Sequence, residues 1–407
     1  PDRGLYFPEK IHRLPDSLFE NIEQKSIPEI AFQAIAPFVE GSIPEDELRK
    51  IIAETLDFDF PIVPITNQMG TLELFQGPTL AFKDVGARFM ARCLGYFNKE
   101  NTSQKITVLV ATSGDTGGAV ANGFLGVPGI EVVILYPKGK VSEVQEQQLT
   151  TLGQNITALE VDGVFDDCQD MVKTAFLDED ITKHKQLTSA NSINVARWLP
   201  QMFYYFIAYR ALKKINKPLV ISVPSGNFGN ICAGLMAREI GLPIDHFIAS
   251  TNINDVVPDF LSSGVYTPKK SSPTISNAMD VGDPSNFIRI LKIFGDDFDN
   301  LKETLSGFRF TDDETREALK EIHEISGYVA DPHGAVGYLG LKEYLKDHPE
   351  KYGIFLETAH PVKFLDTVED TLNIKVDIPE RLKDTLSKTK KSIEIQDYQG
   401  LKDFLLR

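Results

Sequence analysis

The stretch LVISVPSGNFGNICAGLMA, residues 219–237, joins an apolar run to a small-residue segment through a turn rich in glycine and asparagine. Residues 219–223 have the length and β-branched composition of a buried strand, and the residues from 231 onward favour a helix. Glycines at 226 and 229 allow main-chain N–H groups to converge at the positive end of that helix. The turn is therefore suited to hold an anion. The alternative is a strand-to-helix turn that needs the glycines only for their flexibility.

The alternation of strand and helix continues on both sides of this stretch. KITVLVA (105–111) and EVVILYP (131–137) are short buried strand patterns separated by a glycine-rich turn and a helical stretch. IDHFIAS (244–250) repeats the arrangement after the opening stretch. This alternation predicts an α/β fold with parallel-rich sheets and helices on both faces.

The two ends of the chain have different patterns. Apolar residues at helical spacing predict an N-terminal helical subdomain over residues 1–66. The last segment, DTLSKTKKSIEIQDYQGLKDFLLR (384–407), predicts a solvated pair of surface helices. Because the chain starts with Pro1 rather than Met, the presence of a preceding segment, including a targeting peptide, stays open.

Composition narrows the class of function. The chain has 407 residues and a formal net charge of −16, which argues against a nucleic-acid partner because such proteins need a basic face. The sequence contains no apolar run of membrane-spanning length, so we expect no membrane partner. Three widely spaced cysteines predict a reducing, cytoplasmic location. No feature of the sequence indicates an oligomeric state.

A second strand-to-helix turn lies in VLVATSGDTGGAVANG (108–123). Its hydroxyl and carboxylate side chains stand beside three glycines, and the candidate binding residues are Ser113, Gly114, Asp115 and Thr116. Two anion-binding turns in one chain favour a ligand, or a ligand and a substrate, with more than one acidic group. The alternative is that these residues only form the turn between strand and helix and bind no ligand.

A lysine stands at the start of a predicted helix in LELFQGPTLAFKDVGARFMARCLGYF (72–97). Asp84 is suited to cap this helix, whose predicted apolar face is Val85, Phe89, Met90, Cys93, Leu94 and Phe97. Lys83 then lies at the positive end of the helix dipole, where an ammonium is disfavoured and the amine is a better nucleophile. The alternative is an exposed lysine paired with Asp84.

An arginine follows possible capping residues in SANSINVARWLPQ (189–201). Asn191 or Ser192 can cap the predicted helix, which places Arg197 within two turns of its start. A guanidinium group beside capping hydroxyls can bind a phosphate through two hydrogen bonds. A solvated arginine is the more common explanation for a single residue of this kind.

The sequence lacks the patterns that are typical of several other kinds of site. The isolated histidines have no metal-ligand spacing, so we expect no metal. GxGxxG, GxxxxGK[ST] and GxSxG are also missing, which disfavours dinucleotide binding, P-loop chemistry and serine hydrolysis.

Six motifs together resemble the threonine synthase family. They occur in order between residues 77 and 364, and they are GPTLAFKDVGARFMA, TSGDTGGA, SINVARW, PSGNFGN, DVGDPSNF and TAHPVKF. The opening DRGLYFPE resembles the N-terminal region of the same family. The resemblance overrides the interpretation of Lys83 as an ordinary exposed lysine.

The resemblance implies a fold and a cofactor. The fold is the two-lobed, tryptophan-synthase-like fold of pyridoxal 5'-phosphate enzymes, and the implied domains are a large cofactor-binding domain (67–83 and 211–407) and a small α/β domain (84–210). Lys83 is then the internal Schiff-base lysine, and Thr358 stands at the pyridine nitrogen. The residues implied to wrap the cofactor phosphate are Gly226, Asn227, Phe228, Gly229 and Asn230.

The resemblance also implies the substrate site and the reaction. The substrate carboxylate is bracketed by Ser113, Gly114, Asp115 and Thr116, and the substrate phosphate is received by Asn191, Ser192 and Arg197. The expected reaction converts O-phospho-L-homoserine and water to L-threonine and phosphate. Two alternatives stay open: a phospho-lyase that releases a 2-oxo acid from phosphohomoserine or phosphothreonine, and a non-catalytic protein that binds pyridoxal phosphate.

Overall fold

The computed structural model describes residues 5–99 and 105–407. The chain forms two compact units, each built from two separate segments of sequence. Unit 1 comprises Pro1–Phe82 and Trp198–Val376, and unit 2 comprises Lys83–Arg197 and Asp377–Arg407. The motif DRGLYFPE starts at Asp2, so its first three residues lie outside the described part of the chain.

Strands and helices are numbered along the chain. The strands of the described residues are β1 (Ile62–Pro64), β2 (Met69–Glu73), β3 (Ile106–Ala111), β4 (Ile130–Pro137), β5 (Ile156–Val161), β6 (Gln186–Ser189), β7 (Leu219–Pro224), β8 (His246–Thr251), β9 (Leu305–Arg309), β10 (Tyr352–Glu357) and β11 (Ile393–Ile395).

The helices alternate with these strands. They are α1 (Asp16–Glu20), α2 (Ile27–Val39), α3 (Glu45–Thr55), α4 (Lys83–Phe97), α5 (Asp115–Phe124), α6 (Glu143–Thr150), α7 (Phe165–Leu177), α8 (Glu179–His184), α9 (Val195–Trp198), α10 (Met202–Leu212), α11 (Gly229–Glu239), α12 (Val256–Ser263), α13 (Phe287–Ile293), α14 (Phe298–Thr304), α15 (Asp312–Ser326), α16 (Pro332–Asp347), α17 (Leu365–Leu372), α18 (Glu380–Leu386) and α19 (Tyr398–Leu405).

The sheet of unit 1 has the strand order β1-β2-β10-β7-β8-β9. β1 pairs antiparallel with β2, and the remaining neighbours are parallel. All six residues of β7 are buried, because strands lie on both of its edges and side chains cover both of its faces. This position explains why the opening stretch begins with a continuous apolar run instead of an alternating one.

Helix α16 covers one face of this sheet. Its Tyr338 and Leu341 are three positions apart and pack in one apolar cluster with Val220, Ile248 and Phe355 of the neighbouring strands. Residues at this spacing lie on the same side of a helix. This packing fixes the position of α16 on the sheet.

Unit 2 contains a fully parallel sheet with the strand order β11-β5-β4-β3-β6. Alternate residues of its strands belong to two different apolar clusters. Val108 and Ile134 pack with α5 residues such as Phe124, whereas Leu109 packs with α7 residues such as Val172. The predicted α/β class, with parallel-rich sheets flanked by helices, is therefore confirmed.

Two sequence predictions about the ends of elements are wrong. Phe97 was placed on the apolar face of α4, but it is the last residue of that helix and is 56% exposed. The last segment was predicted to form two solvated helices, but it contains β11, which pairs with β5. It also contains α19, whose Leu401 and Leu405 are buried against unit 2.

The compact units also differ from the predicted domains. Residues 198–210 belong to unit 1 and not to the small domain, because α10 packs against α11 and α2. Residues 377–407 belong to unit 2 and not to the large domain, because of the β11 and α19 contacts. The described part of the N-terminal helical segment lies within unit 1.

Candidate active site

The turn between β7 and α11 leaves no room for a side chain at its first glycine. An ideal Cβ on Gly226 would lie 2.7 Å from the carbonyl oxygen of Ala278 and from Cα of Met279. Phe228 has a φ of 60°, so the chain turns through a left-handed residue before the helix begins at Gly229. The result is a close main-chain turn at the positive end of α11, which suits a phosphate group.

Two asparagines of this turn hold the surrounding main chain. The Asn230 amide donates to the Pro224 carbonyl over 2.8 Å and so ties the helix start back to the strand. The side-chain oxygen of Asn227 accepts a hydrogen bond from the Ser285 N–H over 2.6 Å. The main-chain carbonyl of Asn227 accepts one from the Asn286 side chain over 3.1 Å. The turn is thus braced by its own side chains.

Thr358 directly follows β10 and is 6% exposed. Its carbonyl accepts a hydrogen bond from Phe82 N–H over 2.8 Å, and the carbonyl of Leu80 accepts one from His360 N–H over 3.1 Å. These bonds fix the segment that ends at Phe82, and Lys83 is the next residue in the chain.

A group of buried acids lies beside Thr358. Glu357 accepts from the main-chain N–H of Asp331, and burial, followed by the charge of Asp331, raises the pKa of the Glu357 carboxyl well above its usual range. Tyr328 donates to Glu73 over 3.0 Å, and burial raises the pKa of this phenol well above its usual range. Burial and the neighbouring Asp331 therefore both disfavour the charged form of Glu357.

In unit 2, Lys83 is the first residue of α4, as the sequence predicted. Its Nζ lies 3.7 Å from Oδ2 of Asp115, and the two side chains are 17% and 4% exposed. The amide of Gln145 donates to the other oxygen of Asp115 over 3.0 Å. The lysine therefore faces the Asp115 carboxylate, and the hydrogen bond from Gln145 to the other oxygen fixes the orientation of that carboxylate.

The turn that carries Asp115 has an internal cap. The hydroxyl of Thr112 accepts from the N–H groups of Gly114 and Gly117 over 2.9 and 2.8 Å. Gly114 has a φ of 135°, and an ideal Cβ there would lie 2.4 Å from the Gln145 side chain. Only glycine fits this position, so the turn and Gln145 are packed as one group.

The third predicted group surrounds the short helix α9. The Asn191 amide donates to the Ala111 carbonyl over 3.0 Å, which anchors it at the end of β3. The predicted cap position is wrong, because the helix begins at Val195 and is capped by the preceding Asn194, which accepts from Ala196 N–H over 3.0 Å. Ser192 precedes this cap, in the loop between β6 and α9.

Arg197 is buried, with 2% of its surface exposed, so the alternative of a solvated arginine is wrong. Its guanidinium donates to the Ala190 carbonyl. An ideal Cβ on Gly86 would lie 2.5 Å from the Arg197 carbonyl oxygen, so α4 passes close to the arginine main chain. The arginine therefore lies in the same unit as Lys83 and the Asp115 turn.

The candidate residues fall into two groups, one in each unit. Unit 1 holds the 226–230 turn and Thr358, and unit 2 holds Lys83, the 113–116 turn and Arg197. Sequence reasoning missed Gln145. The letters S-x-x-Q at 142–145 form a capping box, which marks the start of α6 but gives no sign of the contact with Asp115.

Comparisons with known proteins cover nearly the whole chain. Residues 71–356 match the family described as "Pyridoxal-phosphate dependent enzyme". Residues 1–56 match "Threonine synthase N terminus", and residues 334–405 match "Threonine synthase, C-terminal".

A curated relative and two solved structures carry the same name. The threonine synthase of Buchnera aphidicola (subsp. Acyrthosiphon pisum) is 44% identical over 99% of this chain and 94% of its own length. The crystal structure of threonine synthase from Escherichia coli matches with a TM-score of 0.93 and 41% identity, over 100% of this chain and 94% of that one. The PLP-bound threonine synthase from Brucella melitensis matches with a TM-score of 0.92 and 33% identity, over 99% and 93%.

Among the described residues, no helix is both long and apolar enough to cross a membrane.

Proposed function

Because this chain belongs to the threonine synthase family of pyridoxal-phosphate-dependent lyases, we propose that its substrate is O-phospho-L-homoserine. The products are then L-threonine and phosphate, with water as the second reactant. The observation that carries this proposal is Lys83, whose side chain is 17% exposed and whose amine, at a helix start, faces the oriented carboxylate of Asp115.

We assign the cofactor phosphate to the turn at residues 226–230. The lack of space for a Cβ at Gly226 and the start of α11 at Gly229 fit a group bound by main-chain N–H donors. Thr358 is assigned to the pyridine nitrogen, where a hydroxyl does not hold that nitrogen protonated. Pyridoxal phosphate supplies an electron sink for carbanion chemistry when it is bound.

Lys83 has two roles in the proposed reaction. Its amine would hold the cofactor covalently, and once released by the substrate amine it would take the proton from Cα of the substrate. It would give this proton up to the conjugated system that the cofactor supplies, and the neutral amine would then take a proton from Cβ. Asp115 lies 3.7 Å from this amine and would keep it directed, while Gln145 fixes the carboxylate. A base held in one place would serve two adjacent carbons of the same substrate without being rebuilt between the steps.

The substrate's acidic groups are assigned to unit 2. We assign the substrate carboxylate to the 113–116 turn, through main-chain N–H groups and hydroxyls, because the Asp115 carboxylate would repel it. We assign the phosphate to Asn191, Ser192 and Arg197. Loss of phosphate from Cγ builds negative charge on the departing oxygens, and a buried guanidinium stabilises such charge strongly.

Product analysis tests the proposed reaction directly. Purified protein is incubated with O-phospho-L-homoserine and, separately, with O-phospho-L-threonine, and the amino acid, 2-oxo acid and phosphate are identified. We expect L-threonine and phosphate in equal amounts from phosphohomoserine. A 2-oxo acid as the main product would establish the phospho-lyase alternative, and cofactor binding without turnover of either compound would establish the non-catalytic one.

The role of Lys83 is tested by its replacement. We expect Lys83→Ala to remove the visible absorbance of the lysine-bound cofactor and to lower the turnover rate by roughly 10³-fold or more, because both proton transfers lose their base. Lys105→Ala, at an exposed lysine on the same unit, is the matched control and should change neither property. A visible absorbance that survived Lys83→Ala would contradict the assignment.

We also infer a cytoplasmic location. Cys93, Cys168 and Cys232 are buried, and burial raises the pKa of each thiol to about 12. Reduced thiols of this kind are typical of proteins from a reducing compartment. Cell fractionation followed by immunoblotting tests the inference, and a secreted protein would contradict it.

A further inference from the structure

His333 makes two hydrogen bonds that define the state of its ring. Its Nδ1 lies 2.6 Å from Oδ1 of Asp331, and its Nε2 lies 3.2 Å from the main-chain N of Ala278. A main-chain N–H can only donate, so Nε2 carries the lone pair and Nδ1 carries the hydrogen that is donated to Asp331. Both side chains are almost fully buried, so this neutral tautomer is held on both sides.

The Ala278 main chain is part of the wall against which the 226–230 turn is built. It belongs to a short 3₁₀ turn, Asn277–Met279, and its carbonyl oxygen would be 2.7 Å from a Cβ on Gly226. His333 binds the N–H of the same residue. A displacement of Ala278 would therefore change the shape of the turn at Gly226 directly.

Asp331 connects this wall to a second part of the candidate site. Its Oδ1 receives the His333 ring, and its Oδ2 accepts from Ala359 N–H over 3.3 Å. Ala359 follows Thr358, the residue assigned to the pyridine nitrogen. One carboxylate thus reaches the main chain beside Thr358 and, through His333, the main chain beside Gly226.

We propose that His333 is a positioning residue for the cofactor site, which fixes Ala278 against Gly226 while Asp331 holds the imidazole tautomer and ties it to the Thr358 segment. The inference rests on the proposed placement of the cofactor phosphate at residues 226–230. The ring itself does not act on the substrate. It keeps the two ends of the cofactor site at a fixed distance from each other.

A purely structural role for this pair is the competing explanation. Asp331 caps α16 by accepting from His333 N–H over 2.6 Å, and capping alone stabilises a helix. A cap would affect the stability of the protein but would not distinguish between the two ring nitrogens. The two explanations therefore differ in what they predict for variants that keep only one ring contact.

Two substitutions separate the ring contacts. His333→Gln places a side-chain oxygen near the former Nε2 and retains an acceptor for Ala278 N–H. His333→Asn places a side-chain N–H near the former Nδ1 and retains the donor to Asp331, but it leaves the buried N–H of Ala278 unsatisfied. His246→Gln is the matched control, because His246 is also a buried, hydrogen-bonded histidine of unit 1.

The readouts are the dissociation constant of pyridoxal phosphate, the ³¹P chemical shift of the bound cofactor and the melting temperature of the cofactor-free protein. We expect His333→Asn to weaken cofactor binding by roughly 10-fold or more and to move the ³¹P resonance, because a buried donor loses its acceptor. We expect His333→Gln to stay within about 3-fold of wild type. The control should change the melting temperature and leave both cofactor readouts unchanged.

Two results would overturn the inference. Equal cofactor affinities for the Asn and Gln variants would show that the Ala278 contact does not set the site, and a larger loss in the Gln variant would assign the effect to the Asp331 contact alone. If the Asn variant does not fold, Asp331→Asn takes its place, because it alters the contacts to the His333 ring and to Ala359 N–H. An unchanged ³¹P resonance and an unchanged affinity in Asp331→Asn would be equally decisive against the inference. A wild-type protein that takes up no pyridoxal phosphate would instead refute the proposed function.

Discussion

Gly334 and Glu357 fit each other so closely that neither position has spare space. An ideal Cβ on Gly334 would lie 1.6 Å from Oε2 of Glu357. Glu357 is fully buried, and burial raises the pKa of its carboxyl group well above the usual range. The glycine therefore provides the volume that the Glu357 carboxyl group occupies beside Thr358.

We expect Gly334→Ala to lower the free energy of unfolding by about 1–3 kcal/mol, since overpacking displaces buried side chains. Gly337→Ala, in the same helix, is the control: its nearest neighbours would be at 3.4 Å, and alanine favours a helix by up to about 1 kcal/mol. Urea unfolding measures both. Adding Glu357→Ala should recover part of the Gly334→Ala loss, and strict additivity of the two would contradict the steric explanation.

The contacts of single residues were only partly predictable from the sequence. The place of Lys83 at a helix start could be predicted, because the apolar period of α4 is local. The contact between Gln145 and Asp115 could not, because it joins residues 30 positions apart that meet only when α5 and α6 pack. Ala278 and His333 are 55 positions apart, and nothing in the letters DPHG indicates that contact.

At the scale of elements, local patterns predicted the opening strand and helix well. The strand is β7, as expected, but α11 begins at Gly229, two residues before the predicted Ile231. The left-handed Phe228 before it is held by tertiary packing on Phe287, with ring centroids 6.0 Å apart. β11 was missed for the same reason: three residues form a strand because β5 offers an edge.

The first strand residue of β8 makes stability depend on pH. His246 stacks on Tyr344 with ring centroids 4.6 Å apart, and burial, followed by the nearby Lys351, lowers the pKa of its ring to about 4. The unfolded chain keeps the ordinary value near 6.5, so it takes up the proton first as the pH falls. Stability from the neutral ring is complete above pH 6.5 and is lost progressively between pH 6.5 and 4.

We expect this loss to be roughly 3 kcal/mol across that interval, from about 1.4 kcal/mol per pKa unit. His246→Gln should remove the corresponding slope when the free energy of unfolding is measured by urea at successive pH values. His184→Gln, at an exposed histidine of unit 2, should leave the slope as in wild type. A slope that persisted in His246→Gln would assign the acid sensitivity to other groups.

At the scale of the whole chain, the last residues return to a unit that the chain left long before. Residues 377–407 join unit 2, although the preceding residues 198–376 belong to unit 1. Leu401 and Leu405 of α19 are buried in one apolar cluster with Val172 of α7. The end of the chain is thus part of the hydrophobic core of unit 2.

We expect Leu401→Ala to cost about 2–5 kcal/mol of stability, the usual loss for a buried leucine. Leu406→Ala removes a neighbouring side chain that is 42% exposed and should cost less than about 0.5 kcal/mol. Calorimetric unfolding of the intact protein measures both. If both variants lost less than about 0.5 kcal/mol of stability, α19 would not be part of the core of unit 2.

The strand order of unit 1 also has a consequence for biosynthesis. β2 is separated from its parallel partner β10 by a long stretch of sequence, since Gly353 pairs with Met69, and β10 is synthesised only after that stretch. The edge of β2 that pairs with β10 therefore has no partner while the residues between the two strands are synthesised. Pairing between strands so distant in sequence slows folding and leaves apolar surface exposed to aggregation. In the cell, we expect chaperones that shield nascent polypeptides to help this chain more than they help a protein whose strands pair locally.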